Sequence, residues 1–224
     1  MIHPAILASG RRRRSGPTFI AAGEAYAGLG GISVDVPFCD GATGDLLIMA
    51  VTVRGSVTIE TPSGWSLVVA MTIGFTSTSI FRRAQQPGDG GAVTVTTNAA
   101  GSQTTVGQMF SFRGAQTLVV GDILTDTGNV ISIGPVPGIA VRTGAYVFAL
   151  GSRANDWATI TTLSGDGLTW VQVGNAGSES GGDAGQVVEV AKNETGATVD
   201  VSDKTWTCDE IGRNNLGVMI EVST

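Results

Sequence analysis

Cysteine, histidine, lysine and long apolar runs are all scarce in this chain of 224 residues, and each shortage removes a class of function. The two cysteines, Cys39 and Cys208, are too few for a disulfide framework. Both precede strand-like blocks and suit reduced, buried thiols, while a Cys39–Cys208 bridge stays open on spacing alone. The single histidine, His3, sits beside Pro4 near the N-terminus. A Ser-His-Asp or Cys-His mechanism would have to recruit it from outside the folded body. One His with two distant Cys also leaves zinc short of ligands. No apolar run approaches the roughly 20 residues that span a bilayer as a helix. Ile2 to Ala8 is apolar but short, and its basic cluster follows it, the reverse of a secretory signal. The expectation is a soluble product of a reducing cytoplasm, with no membrane partner, no metal and no cofactor.

Glutamate is also sparse, and no window of about 11 residues keeps the three-and-four apolar spacing of an amphipathic helix. Glycine, at 33 residues, is abundant beside threonine, valine and serine, a profile of strands joined by tight turns. A repeat organises those strands. Thr43-Gly44-Asp45-Leu46-Leu47-Ile48-Met49-Ala50 aligns with Thr143-Gly144-Ala145-Tyr146-Val147-Phe148-Ala149-Leu150 at an offset of 100. Ile80 to Ala84 aligns with Val187 to Ala191 at 107, Val93 to Val95 with Val199 to Val201 at 106, and Val106 to Phe110 with Leu216 to Ile220 at 110. The offset drifts only across Gly-rich loops, where insertions are tolerated. Four blocks in one order point to a duplicated β-module.

The chain divides accordingly into an N-terminal basic arm (1–18), a first β-module (19–115), a bridging segment with short strands (116–142) and a second β-module (143–224). Leu46 to Val53 is a nearly continuous apolar run, as in a strand covered on both faces, and Ile32, Val34 and Val36 alternate with polar residues. Gly134-Pro135-Val136-Pro137-Gly138 marks the end of the bridge, and Asn175 to Gly185 is the longest polar loop. Strands recur roughly every 10–15 residues, which predicts an all-β, β-sandwich or jelly-roll-like architecture of two duplicated strand modules with an extended arm. Each module alone has too few strands for a sandwich of its own, so the two are expected to share a core.

Charge is uneven. Arg11, Arg12, Arg13 and Arg14 are four of the 13 basic residues, so residues 15–224 hold nine basic and 19 acidic groups, a net of −10. An acidic body repels a phosphate backbone, which disfavours nucleic acid as its partner. The arm joins those arginines to Ile2, Ile6 and Leu7, a combination suited to docking on an acidic protein surface, with a solvated tail as the bland reading and nucleic-acid contact by the arm alone as a third.

No catalytic motif stands out. Gly28-Leu29-Gly30-Gly31 lacks the lysine and hydroxyl residue of a phosphate loop. Gly88-Asp89-Gly90-Gly91 and Gly165-Asp166-Gly167 each offer one Asp where calcium needs six or more oxygens, so both read as turns. Acidic residues are numerous enough for a glycosidase pair, yet nothing marks one, and no convergent polar pocket is expected. Trp65 and Trp170 read as core. Asn155, Asp156 and Trp157 form a possible ligand loop in which the indole could stack on a sugar, although a loop anchor is the favoured reading.

The series Gly44-Asp45-Leu46-Leu47, Pro62-Ser63-Gly64-Trp65, Phe81-Arg82-Arg83-Ala84 and Val93-Thr94-Val95 resembles a pattern in β-rich virion structural proteins of tailed bacteriophages. The resemblance covers roughly residues 32–224. In the second copy Asp45 becomes Ala145, and Gly64-Trp65 is aligned with Gly167-Leu168. It implies a non-enzymatic virion protein, made in the host cytoplasm. Its first form is a homo-oligomeric capsid decoration or cement protein that binds the major capsid protein or other virion subunits through its arm. The alternative is a tail or fibre component acting as a carbohydrate-binding adhesion module. No family site residues carry over.

Overall fold

The computed structural model describes residues 16–29, 32–98, 103–178 and 183–224, and they form strands without a helix. Strands are numbered along the chain. The first sheet holds β1 (Thr18–Ala22), β2 (Tyr26–Leu29), β4 (Leu46–Arg54), β5 (Ser66–Ile73), β6 (Thr76–Ala84) and β8 (Thr104–Arg113). The second holds β9 (Thr117–Asp126), β10 (Val130–Val136), β12 (Tyr146–Ala154), β13 (Trp170–Gly177), β14 (Ala184–Lys192) and β16 (Lys204–Ser223). Two short ladders pair β3 (Ser33–Pro37) with β7 (Ala92–Thr96) and β11 (Ile139–Val141) with β15 (Val199–Val201).

The order β8-β4-β6-β5 in one sheet recurs as β16-β12-β14-β13 in the other, and all neighbouring strands are antiparallel. On the outer side of β8 lie β1 and β2, matched by β9 and β10 on β16. The all-β, internally duplicated architecture expected from the repeat is therefore present.

Strand alternation sends successive side chains to opposite faces, and here both faces are covered. Leu46, Ile48 and Ala50 of β4 point into one core with Ile80, Phe110, Phe148, Leu150, Val188 and Val218. Leu47, Met49, Val51 and Val53 point the other way, under Val34, Val36 and Val95 of the β3/β7 ladder. Val147 and Ala149 of β12 meet Val141, Val201 and Trp206 on the far side. The result is four layers, ladder on sheet on sheet on ladder. The central core belongs to both modules: the rings of Phe110 and Phe148 meet edge-on with centroids 5.2 Å apart.

Register corrects two details of the repeat. Ala50 pairs with Ile80 and Leu150 with Val188, so β6 and β14 correspond at 108 rather than 107. Likewise Ser66 pairs with Arg82 and Val171 with Val190, which makes Trp170, not Leu168, the counterpart of Trp65. A bulge at Leu67/Val69 returns at Gln172/Gly174, 105 residues on, which supports that assignment. The glycines aligned at 107 and 217 do correspond. In each, the missing Cβ leaves room for an outer-layer valine, Val36 over Gly107 and Val136 over Gly217.

Residues 117–136 hold two full strands, β9 and β10, both paired with β16. Thr159 to Thr162, which reads as strand in sequence, forms only an isolated bridge between Ile160 and Cys208. The two cysteines are free and buried in different outer cores, Cys39 in the first module and Cys208 in the second, so no bridge joins them.

Candidate functional site

The sandwich has two unlike ends. At one, Leu46 and Tyr146 begin β4 and β12, and Thr18 of β1 pairs with Arg113 beside them. Gly16 packs directly on the Gly144 carbonyl, and Gly16-Pro17 share a cavity of about 250 Å³ with Arg142, Ser223 and Thr224. The base of the arm and the C-terminus thus leave together. Ile2, Ile6, Leu7, Arg11, Arg12, Arg13 and Arg14 lie outside the described residues.

The two larger cavities of this end are related by the duplication. One, of about 590 Å³, is lined by Phe19, Tyr146, Val171, Val190, Lys192 and Glu194, and its counterpart, of about 350 Å³, by Leu46, Ser66, Arg82, Ala84 and Gln116. Neither brings two carboxylates together. Among the described residues, no three His, Cys, Asp or Glu side chains cluster as metal ligands.

Between the ends, the inter-sheet core changes character. Thr52 and Thr78 of the first module meet Ser152 and Gln186 of the second, and these are equivalent positions by the offsets of 100 and 108. Thr52 Oγ1 donates to Gln186 Oε1 at 3.0 Å, and the hydroxyls of Thr78 and Ser152 lie 2.7 Å apart. Among the described residues, Gln186 Nε2 and the hydroxyl of fully buried Thr76 have no partner. Buried polar groups left unpaired cost about 1–3 kcal/mol each, so this row is an expensive feature of the core.

Two residues further along the same faces, Arg54 and Ala154 open onto a cleft of about 290 Å³. Phe75, Asn155, Arg213 and Asn214 complete its wall. Phe75 tops the β5–β6 turn and is 66% exposed. Asn214 is 7% exposed, and its carboxamide rests against Gly74, where a side chain would collide with it. Asn155 and Asn214 both take positive φ, 82° and 55°, which asparagine tolerates better than most residues. Neither arginine side chain has an ion-pair or hydrogen-bond partner among the described residues. Here the structure departs from the sequence expectation, because polar groups do converge, as cations and amides rather than as an acid pair.

The loop singled out in sequence borders this cleft, with unequal parts. Asn155 lines it and donates from Nδ2 to the Ile211 carbonyl at 3.0 Å. Trp157 does not present a face to solvent. It is 7% exposed, its Nε1 donates to Asn175 Oδ1 at 2.7 Å, and the Arg153 guanidinium lies 5.0 Å from its ring. Asp156 gives its carbonyl to Arg153 Nη2 at 2.6 Å. Trp157 and Asp156 are anchors, which removes the indole as a sugar platform.

Most other charges have structural employment. Asp89 pairs with Arg83 and accepts from the Gln86 N–H, while Asp166 pairs with Lys204 and accepts from Ser202, as turn residues do. Burial alone would raise the Asp45 pKa, but Arg113 at 3.0 Å and the Ala42 N–H at 2.8 Å overcome it and hold the carboxyl below its usual range. Glu221 is likewise opposed by burial and lowered by Arg142, whose Nε lies 2.7 Å away. Because both folded pKa values are depressed, the stability they contribute is present above the unfolded values, about 4, and is lost as pH falls through the folded ones. Glu189 runs the other way: burial raises its pKa, so its contribution declines as pH rises. With Asp166 also lowered against the burial that opposes it, by Lys204 and Ser202, and Asp209 lowered chiefly by its hydrogen bond from the Thr159 N–H, four groups oppose one. The urea midpoint is therefore expected to drop between pH 5 and pH 3. An unchanged midpoint would contradict these assignments.

No known family, no curated protein and no solved structure matches this chain.

Proposed function

We propose that the chain is a non-enzymatic structural protein of a tailed-phage virion, a capsid decoration or cement protein attached through residues 1–18. The observation that carries this reading is the polarity of the body. The base of the arm is fixed at the Leu46/Tyr146 end by the Gly16–Gly144 contact, which leaves the Arg54/Ala154 end facing away. A sandwich with the base of the arm, Gly16, at one end suits attachment there and display at the other. The acidic body beyond the arm, net −10 over residues 15–224, suits a protein partner rather than nucleic acid. On this reading the copies bind the major capsid protein or other virion subunits as a homo-oligomer.

Electron microscopy of the intact particle tests the proposal. The expected result is density for the sandwich on the head shell, with the Gly16–Gly144 end inward. Particles that lack the chain altogether would overturn it.

A second reading, a tail or fibre component that binds host-surface carbohydrate, is favoured by one feature, the cleft at Arg54, Phe75, Asn155, Arg213 and Asn214. Density on the tail rather than the head would select it.

A further inference from the structure

The cleft holds more unexplained chemistry than any other part of the described surface. Two arginine side chains lack partners there among the described residues, although the body carries an excess of carboxylates that could have met them. Asn214 is nine-tenths buried and brings a carboxamide to the wall with no side-chain hydrogen bond among the described residues. Behind Arg54, its register partner Thr76 keeps a hydroxyl without a partner among the described residues, on the same face. A large aromatic, Phe75, stands at the rim where burial would ordinarily be worth about 1.5–3 kcal/mol. Unpaired cations, an unpaired amide and an exposed ring in one cleft are what a bound ligand would satisfy together.

We infer that this cleft binds a sugar unit bearing a single carboxylate, a uronic or sialic acid residue. Guanidinium groups suit a carboxylate because their planar fork matches its two oxygens. The Asn214 and Asn155 carboxamides offer both donors and acceptors, as ring hydroxyls require. The C–H face of a sugar can lie on the Phe75 ring. Volume fits the same class: about 290 Å³ is at the lower edge of ligand pockets, enough for one ring and too little for an extended oligomer. Net charge disfavours polyanions, since a body at −10 repels a run of phosphates or sulfates more than one carboxylate. The inference rests on the adhesion reading and is independent of where the arm docks.

The test uses the full-length chain in calorimetric titrations with glucuronic acid and N-acetylneuraminic acid, against glucose and galactose as neutral probes. One of the acids is expected to bind at millimolar or lower concentration, and the neutral sugars far more weakly. Arg54→Gln and Arg213→Gln should each weaken that binding about tenfold, the loss of a charge-assisted hydrogen bond. Phe75→Ala should weaken it several-fold with an unchanged melting temperature, because the ring is exposed. Arg82→Gln, at the opposite end, should change nothing. Binding that survives the Arg54→Gln/Arg213→Gln double variant would overturn the site. Binding of neutral sugars alone would overturn the acidic specificity and leave the adhesion reading standing. Failure of all four sugars, repeated on an array of acidic and neutral glycans, would end both.

Discussion

Phe148→Ala is expected to lower the free energy of unfolding by about 3–5 kcal/mol, the range for emptying a buried aromatic site. Phe148 is fully buried between the two sheets, and its neighbours come from both modules. The substitution removes the transfer free energy of the ring and leaves a cavity that strands fixed on both sides cannot fill. The edge-on contact with Phe110 adds a term of about 0.5–1.5 kcal/mol. The Phe110→Ala/Phe148→Ala double variant should accordingly cost less than the sum of the single changes by about that amount.

The larger consequence is cooperativity. A core shared between modules makes unfolding all-or-none over the whole chain. Trp65 reports on the first outer core and Trp206 on the second, and both are buried. In variants retaining one or the other tryptophan, the urea transitions are expected to coincide, in the parent and in Phe148→Ala alike. Two separated transitions would mean that the modules are independent sandwiches.

Much of this architecture was legible because the strands carry unusually clear patterns. The unbroken apolar run at Leu46 to Val53 reads as a strand covered on both faces, and the second sheet on one side and the β3/β7 ladder on the other provide that cover. The same property hid the register of β6 and β14. Ile80-Phe81 and Val187-Val188 are apolar on both faces, so a one-residue slip costs nothing in pattern matching although it exchanges the two cores. The length of β16 is hard to read from the sequence for the opposite reason. Thr205, Thr207 and Asp209 are exposed between buried Lys204, Trp206 and Cys208, an alternation diluted by charge.

The cleft was the least legible feature. Its residues come from the ends of β4 and β12, the β5–β6 turn and the middle of β16, and no spacing joins them. Of these residues, the sequence marks only Asn155. One signal was present but weak: Arg54 and Ala154 are repeat equivalents, so an unpaired charge replaces a methyl group at matched strand ends.

The second large effect is expected at the arm. Three apolar side chains, Ile2, Ile6 and Leu7, and four arginines make up its anchoring chemistry. Full burial of an aliphatic side chain contributes about 1.5–3 kcal/mol, and an exposed guanidinium–carboxylate pair about 0.2–1 kcal/mol. Fixing a residue costs about 1–2 kcal/mol of backbone entropy, which offsets much of that gain, so the net contribution is a small difference, and a surplus of about 2.8 kcal/mol would be a hundredfold in affinity at about 1.4 kcal/mol per tenfold. The electrostatic share should weaken as salt rises. The most direct test of attachment through this arm is co-sedimentation with particles, comparing the full-length chain with one that begins at Thr18. The full-length chain is predicted to sediment with the particles and to be released progressively by salt, while the shortened chain stays in the supernatant. Equal binding by both, with the same salt dependence, would contradict the anchor and assign attachment to the sandwich itself.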